Sequence, residues 1–334
     1  MTHETSSYRS PISRRTMLAT TVAMAASPAL AEECRVGPPP HHKGPLVFMD
    51  YDQVELDASY DQVQYEPLIA QVSKRLASNS EAVRARIGAP HRAAYGPTEI
   101  EKLDIYRTSR PNAPIFVAIH GGNWQVGAAK DYGFPAEMFV NAGANYVALD
   151  FANIKEAGGD LGVMAAQVRR GIAWVCKNAA TFGGDPDRVF IGGHSSGGHL
   201  CGVALVADWQ KEFGLPDNAI KGGLCMSGMY DMAPVRLSWR RTYVSFTDQM
   251  ADAMSAQRHL DGLRAPITVT YGGFETPDFQ RQSRDFAAAV KAAGKPVQLI
   301  EAPNYAHLEM AESLGNPYGP NGRAALAMMK LAQG

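Results

Sequence analysis

The sequence predicts an α/β fold, with a mostly parallel central sheet and helices on both of its faces. Three observations predict it. From position 115 onward, apolar runs of strand length alternate with longer segments of helical period. Strands separated by helices pair in parallel, and the crossovers cover both faces. Glycines such as Gly143 and the Gly183-Gly184 pair sit where helices should stop. The chain has 334 residues, 46% of them hydrophobic, enough for one large domain with a full core.

Residues 1–31 are expected to lie outside that fold. Ser13-Arg14-Arg15-Thr16-Met17-Leu18 is a twin-arginine pattern after a polar n-region. A weakly hydrophobic stretch follows, and Ala29-Leu30-Ala31 supplies the small residues of a cleavage site. The expectation is a removable signal peptide and a periplasmic or secreted protein. Residues 32–90 read as an N-terminal arm across the mouth of the main domain. They open with a Pro-rich entry, and Tyr51-Asp52-Gln53-Val54 nearly recurs as Tyr60-Asp61-Gln62-Val63. Helical character is expected over 68–77 and 82–87.

The main domain, 91–334, opens with antiparallel edge strands at Tyr95-Gly96 and over 102–106, the second alternating cleanly. Strands are then expected at 115–119, 145–149, 189–191, 223–226, 267–271 and 297–301. Helices are expected at 134–141, 163–180, 200–207, 279–293 and 322–331. In the long helix Met164, Val168, Ile172 and Val175 fall on one face. The interval 231–262, rich in Met, Trp and Arg, breaks the rhythm and reads as a lid segment. Cys176, Cys201 and Cys225 lie in apolar runs and read as core fillers; with Cys34 they match no zinc-site spacing.

The chemistry centres on Gly193-His194-Ser195-Ser196-Gly197. A strand precedes this Gly-x-Ser-x-Gly pattern and a helix follows it, so the turn is tight, its neighbours must be small, and Ser195 Oγ is pushed out over the sheet end. The helix N-terminus then faces the place where an oxyanion would form. A serine hydroxyl needs a base in reach and an acid to orient that base, in the chain order serine, acid, histidine. His307, in the loop after the last strand, is the expected base; His259 comes too early. The acid should follow strand 267–271, where Glu275 is preferred on loop order and Asp278 is the alternative, with helix N-capping as the competing role for Asp278. Oxyanion donors are expected from the Ser196 amide and from the loop His120-Gly121-Gly122-Asn123-Trp124, through Gly122 and Asn123, with His120 bracing the loop. Trp124 and His194 are expected in the substrate pocket.

These residues carry a resemblance. His120-Gly121-Gly122-x-Trp124, Phe182-Gly183-Gly184-Asp185-Pro186 before Gly-His-Ser-Ser-Gly-Gly, Leu103-Asp104-Ile105-Tyr106 and Phe279-Gln280-Arg281-Gln282-Ser283 resemble the α/β-hydrolases, in the branch of the kynurenine formamidases and the hormone-sensitive-lipase-like carboxylesterases. The resemblance covers roughly Tyr51 to the C-terminus and departs at Phe274, where the pattern carries an acidic residue. It implies the α/β-hydrolase fold and its catalytic machinery.

The expected activity is that of a metal-independent serine hydrolase, acting through an acyl-enzyme on small esters or activated aryl amides and formamides. An arylformamidase or carbamate hydrolase is the narrower alternative, and a non-catalytic binding protein on the same fold the competing class. No HExxH, P-loop or dinucleotide fingerprint is present, so no cofactor or metal is expected. A formal net charge of -1 gives no footprint for nucleic acid, and no apolar run is long enough for membrane insertion. The partner expected is a small, aromatic ester or amide, received in a compact pocket walled by Trp124, Trp239, Tyr243 and Phe246.

Overall fold

A computed structural model of the chain describes residues 36–332. The expected signal peptide and Cys34 lie outside the described residues. One eight-stranded sheet runs in the order β1-β2-β4-β3-β5-β6-β7-β8. Its strands are β1 His91–Ala94, β2 Lys102–Tyr106, β3 Ala113–Ile119, β4 Asn145–Leu149, β5 Gly184–His194, β6 Ile220–Met226, β7 Ile267–Gly272 and β8 Val297–Ala302. The pairs β1/β2 and β2/β4 are antiparallel and all others parallel. The first edge strand precedes Tyr95-Gly96 rather than including it. The Tyr95 amide closes the turn onto Glu101 O at 2.9 Å, and its ring is buried.

The helices are α1 Gln53–Ser59, α2 Ile69–Ile87, α3 Ala136–Asn141, α4 Leu161–Asn178, α5 Ser196–Leu205, α6 Trp209–Phe213, α7 Met232–Val235, α8 Asp248–Ala253, α9 Pro277–Ala292, α10 His307–Glu312 and α11 Pro320–Met328. Strand alternation sends side chains to two cores. Ile115, Val117 and Ile119 of β3 and Val147 and Leu149 of β4 join the α4 and α9 side. Phe116, Ala118, Tyr146 and Ala148 join the α2, α3 and α11 side. Asp160 caps α4 by accepting from the Gly162 amide at 2.7 Å, and Met164, Val168, Ile172 and Val175 enter the first core as their spacing requires. Cys176, Cys201 and Cys225 are buried free thiols.

From Val36 onward the arm belongs to the same compact unit as the sheet. Its two expected helical pieces form the single helix α2, and α1 was not expected at all. Asp52 caps α1 in a reciprocal capping box with Glu55. The interval 231–262 forms α7, α8 and three single 3₁₀ turns. Among the described residues no helix is long and apolar enough to cross a membrane.

Strand order positions the site. The chain adds β4 on one side of β3 and then crosses back to place β5 on the other, so the order reverses between β3 and β5. In an open α/β sheet the crevice at such a reversal, beyond the strand C-termini, is where ligands bind. Ile119 lies opposite Gly193, Met226 opposite His194 and Thr270 opposite Met226, and Gly272 opposite Ala302. The loops after β3, β5, β6, β7 and β8 are therefore neighbours.

Candidate active site

Ser195 stands at the junction of β5 and α5 with φ 57° and ψ −123°. That backbone state costs a non-glycine residue on the order of 1–3 kcal/mol and persists only when its surroundings enforce it. Here they do. The Ser195 amide donates to Met226 O at 2.9 Å, locking the turn to β6. A Cβ on Gly193 would lie 2.1 Å from Gly197 O, and one on Gly197 2.2 Å from Ile119 O. Both glycines of the motif are thus required by close backbone approach. Helix α5 begins at Ser196, four residues earlier than its apolar run suggests, because Gly197 and Gly198 serve packing rather than breaking the helix.

The loop after β3 comes to meet this turn. A Cβ on Gly121 would lie 3.2 Å from Ser195 Cβ. Gly122, Asn123 and Trp124 all have positive φ, at 115°, 56° and 62°, which turns successive amides in one direction. The Gly121 amide donates to the Tyr132 hydroxyl at 3.1 Å, and that of Trp124 to Ser196 Oγ at 3.2 Å. Among the described residues, the amides between them, those of Gly122 and Asn123, have no protein acceptor. His120 braces the loop from below. Its Nδ1 bonds Gly121 O at 2.9 Å and its ring stacks on Phe151 at 4.1 Å.

His307 is the first residue of α10, and its Nδ1 meets Glu275 Oε2 at 3.2 Å. The Glu275 side chain is fully buried, and its other oxygen accepts from the Ser227 hydroxyl at 2.5 Å and the Gly272 amide at 2.7 Å. Burial pushes the Glu275 carboxyl upward, and the Ser227 and Gly272 hydrogen bonds pull it back. Burial holds His307 well below the usual histidine range, and the Arg240 charge pushes the same way. His194 lies beside it, ring centroids 4.5 Å apart, with Nε2 on His307 O at 2.8 Å. Glu66 of the arm accepts from the Leu308 amide at 2.9 Å, and burial pushes its carboxyl up to about 7.

Asp278 has a different occupation. Thr276 caps α9, not Asp278. The Asp278 carboxylate accepts from the Tyr60 hydroxyl, and from Arg281 Nε at 2.7 Å. No hydrogen bond joins it to His307.

Ser195, His307, His194, Gly122 and Asn123 line one cavity of about 570 Å3, walled on its far side by α2 through Ile69, Ala70 and Leu76. The aromatic wall differs from expectation. Trp124 does not line the cavity: its positive φ turns the indole into the core, 2% exposed, where Nε1 donates to His199 Nδ1 at 3.2 Å. Trp239, Tyr243 and Phe246 pack against the core instead. The aromatic residue at the cavity is Tyr132. Sequence reasoning also missed Ser227, whose position just beyond β6 and beside the β7 loop was the available signal. It missed His199 and Arg240, for which no local pattern exists.

The one group of side chains with metal-like spacing among the described residues is His41, Asp52 and Glu55, away from the cavity. Its atoms are engaged: His41 Nε2 with Asp52 at 2.9 Å and Lys43 Nζ with Glu55 at 2.9 Å.

Comparison with known proteins agrees with this architecture. The family model described as BD-FAE matches residues 103–222. The kynurenine formamidase of Danio rerio is 30% identical over 274 residues, 78% of this chain and 90% of that protein. Esterase LipQ of Mycobacterium tuberculosis is 28% identical over 241 residues, 64% of this chain and 55% of that protein. The crystal structure of esterase LipW from Mycobacterium marinum superposes with a TM-score of 0.63 at 17% identity, covering 81% of this chain and 89% of that one, and shares the fold. The extent of the formamidase match, together with the sheet order and the loops it brings together, shows that the chain belongs to the kynurenine formamidase family of α/β-hydrolases and is an enzyme of the hydrolase class.

Proposed function

We propose that the enzyme is a serine hydrolase of small carboxylic esters and activated aryl amides or formamides. Ser195 Oγ attacks the acyl carbon while His307 Nε2 takes its proton, and Glu275 holds the imidazole in the tautomer that leaves Nε2 free to accept. The amides of Gly122, Asn123 and Ser196 receive the oxyanion. Collapse of the tetrahedral species sends the His307 proton to the departing oxygen or nitrogen and leaves an acyl-Ser195 ester. Water, deprotonated by His307, then repeats the sequence and releases the acid.

One observation carries this reading. Ser195 and His307 share a cavity wall, and Nδ1 of His307 rests 3.2 Å from a buried carboxylate. A non-catalytic binding protein would have no use for a strained serine, an oriented imidazole and two unengaged amides on residues that line one cavity. The cavity, about 570 Å3, is of the size that receives a single small-molecule ligand. An arylformamidase or carbamate hydrolase is the narrower reading, favoured by the formamidase relative. The test is a panel of kcat/KM values over p-nitrophenyl esters, aryl amides and N-formyl arylamines, with Ser195→Ala as control. Turnover should vanish in the variant for every substrate that the enzyme accepts. A folded Ser195→Ala protein with near wild-type turnover refutes the reading.

We also propose export to the periplasm. The support is the twin-arginine pattern with its weakly hydrophobic stretch and Ala29-Leu30-Ala31. That location argues against a role in cytosolic tryptophan breakdown.

A further inference from the structure

Arg240 is wholly buried, yet among the described residues it forms no ion pair with a carboxylate. An unpaired buried charge is costly, so something must retain it. Its guanidinium is boxed by aromatic faces, 5.2 Å from the Trp124 ring, 5.7 Å from Trp239 and 5.8 Å from Tyr60. Nη2 donates to Tyr60 O at 3.1 Å and to Asn123 Oδ1 at 2.9 Å, and Nη1 to the Tyr243 hydroxyl at 3.3 Å. Nε has no partner. Every neutral acceptor here belongs to the arm, the lid interval or the loop after β3.

We propose that Arg240 is a positioning residue of the oxyanion hole: it holds Asn123 through the side chain, and its unopposed charge is compensated only when negative charge develops on the substrate. The proposal rests on the triad reading above. Asn123 sits at φ 56°, a conformation its own preferences do not impose, and the Arg240 bond tethers the side chain of a residue that lines the cavity and whose amide has no protein acceptor among the described residues. The next residue, Trp124, is anchored at both ends. Its amide donates to Ser196 Oγ, and its indole to His199, whose Nε2 reaches Met254 O at 3.0 Å. The lid interval thus braces the oxyanion loop against the nucleophile helix rather than gating the cavity. A fixed positive charge behind the donors stabilises the transition state more than the neutral ground state, which is the condition for raising kcat rather than lowering KM. The same charge disfavours a second cation on His307.

The test compares Arg240→Met, Arg240→Lys and Asn123→Gly with wild type in melting temperature, kcat, KM and the acid limb of kcat/KM. His307 is also faced by Glu275 after β7, by His194 at the end of β5 and by Glu66 of the arm through Leu308, and all stay in place in these variants. Arg240→Met should lower kcat about tenfold or more, part of the loss seen when an oxyanion donor is removed outright, with KM little changed. Its acid limb should move to higher pH. Arg240→Lys keeps the charge and should keep the acid limb while losing part of kcat. Asn123→Gly accepts the positive φ, so it should lower kcat with the acid limb unmoved. If Arg240→Met does not fold, wild-type kcat in both other variants overturns the proposal. Wild-type kcat and acid limb in folded Arg240→Met overturn it directly. Should Ser195→Ala retain turnover, the triad reading falls and this proposal with it. Should Ser195→Ala be inert and the Arg240 variants behave as wild type, this proposal alone falls.

Discussion

Glu275→Gln against Asp278→Asn separates the acid that orients the base in the proposed mechanism from the acid that holds the arm. Glu275 accepts from Ser227 and Gly272 through one oxygen and faces His307 Nδ1 with the other. In the glutamine variant the carbonyl oxygen can retain the Ser227 and Gly272 bonds, which turns the amide NH2 toward Nδ1. His307 then answers with a lone pair at Nδ1 and carries its proton on Nε2, where it cannot accept from Ser195. A wrong-tautomer variant of this kind loses about 10⁴ in kcat, close to 5 kcal/mol of transition-state stabilisation. Little packing changes, so the melting temperature should move only slightly. Asp278→Asn weakens the bonds to Tyr60 and Arg281, but Arg281 keeps Asp285 at 2.7 Å. Roughly 1–3 kcal/mol of stability should be lost, with turnover per folded molecule within a few-fold of wild type. Steady-state kinetics on p-nitrophenyl acetate and thermal melts of both variants decide it. The reverse ranking, an active Glu275→Gln and an inert folded Asp278→Asn, would refute the assignment.

Other outcomes follow from the same geometry. In the proposed mechanism His307 must be neutral to take the Ser195 proton, and burial lowers its pKa, so kcat/KM should stay flat through neutrality and fall only below the ordinary histidine value. The falling limb belongs to the Glu275–His307 pair rather than to either residue, and a midpoint above 6.5 in a pH-rate profile would contradict it. Across p-nitrophenyl esters from acetate to palmitate, kcat/KM should peak at a short chain, since methylenes help only until the cavity of about 570 Å3 is filled; a maximum at about eight carbons or longer would show the pocket to be larger. Replacing Arg14-Arg15 by two lysines should retain the protein in the cytoplasm, and unchanged periplasmic recovery on fractionation would refute the export route.

Much of this was legible in the sequence because backbone requirements leave local marks. Strand β4 reads as 145–149 from its apolar run alone. The turn at Ser195 is marked by glycines that the structure needs, since a Cβ at Gly193 or Gly197 would lie 2.1 or 2.2 Å from a backbone oxygen. The order of loops also points to Glu275 and His307, which the fold brings to 3.2 Å of each other. What was not legible depends on tertiary partners. Helix α2 reads as two pieces because Ser78, Asn79 and Ser80 are weak helix formers. In the fold Ser80 is buried, and its hydroxyl accepts from the Phe134 amide at 3.0 Å, so packing overrides propensity. The strand before the motif reads as 189–191 alone, yet β5 starts at Gly184, with a register shift that absorbs the irregularity. Asp278 reads as a cap, but the preceding Thr276-Pro277 takes that place. Trp124 reads as a pocket wall, because nothing local reveals that its φ turns the ring inward. The interval 231–262 reads only as a lid segment rich in arginine. Only the aromatic box and the Asn123 bond show that Arg240 differs from Arg236 and Arg241.

The central claim is that Ser195 becomes acylated. Incubation with a fluorophosphonate, followed by intact-mass and peptide mass spectrometry, tests it most directly. One equivalent of adduct on the peptide carrying Ser195, with activity lost in proportion and no adduct in Ser195→Ala, is the predicted result. A folded, active enzyme that takes up no adduct, or takes it up at another residue, would contradict the account.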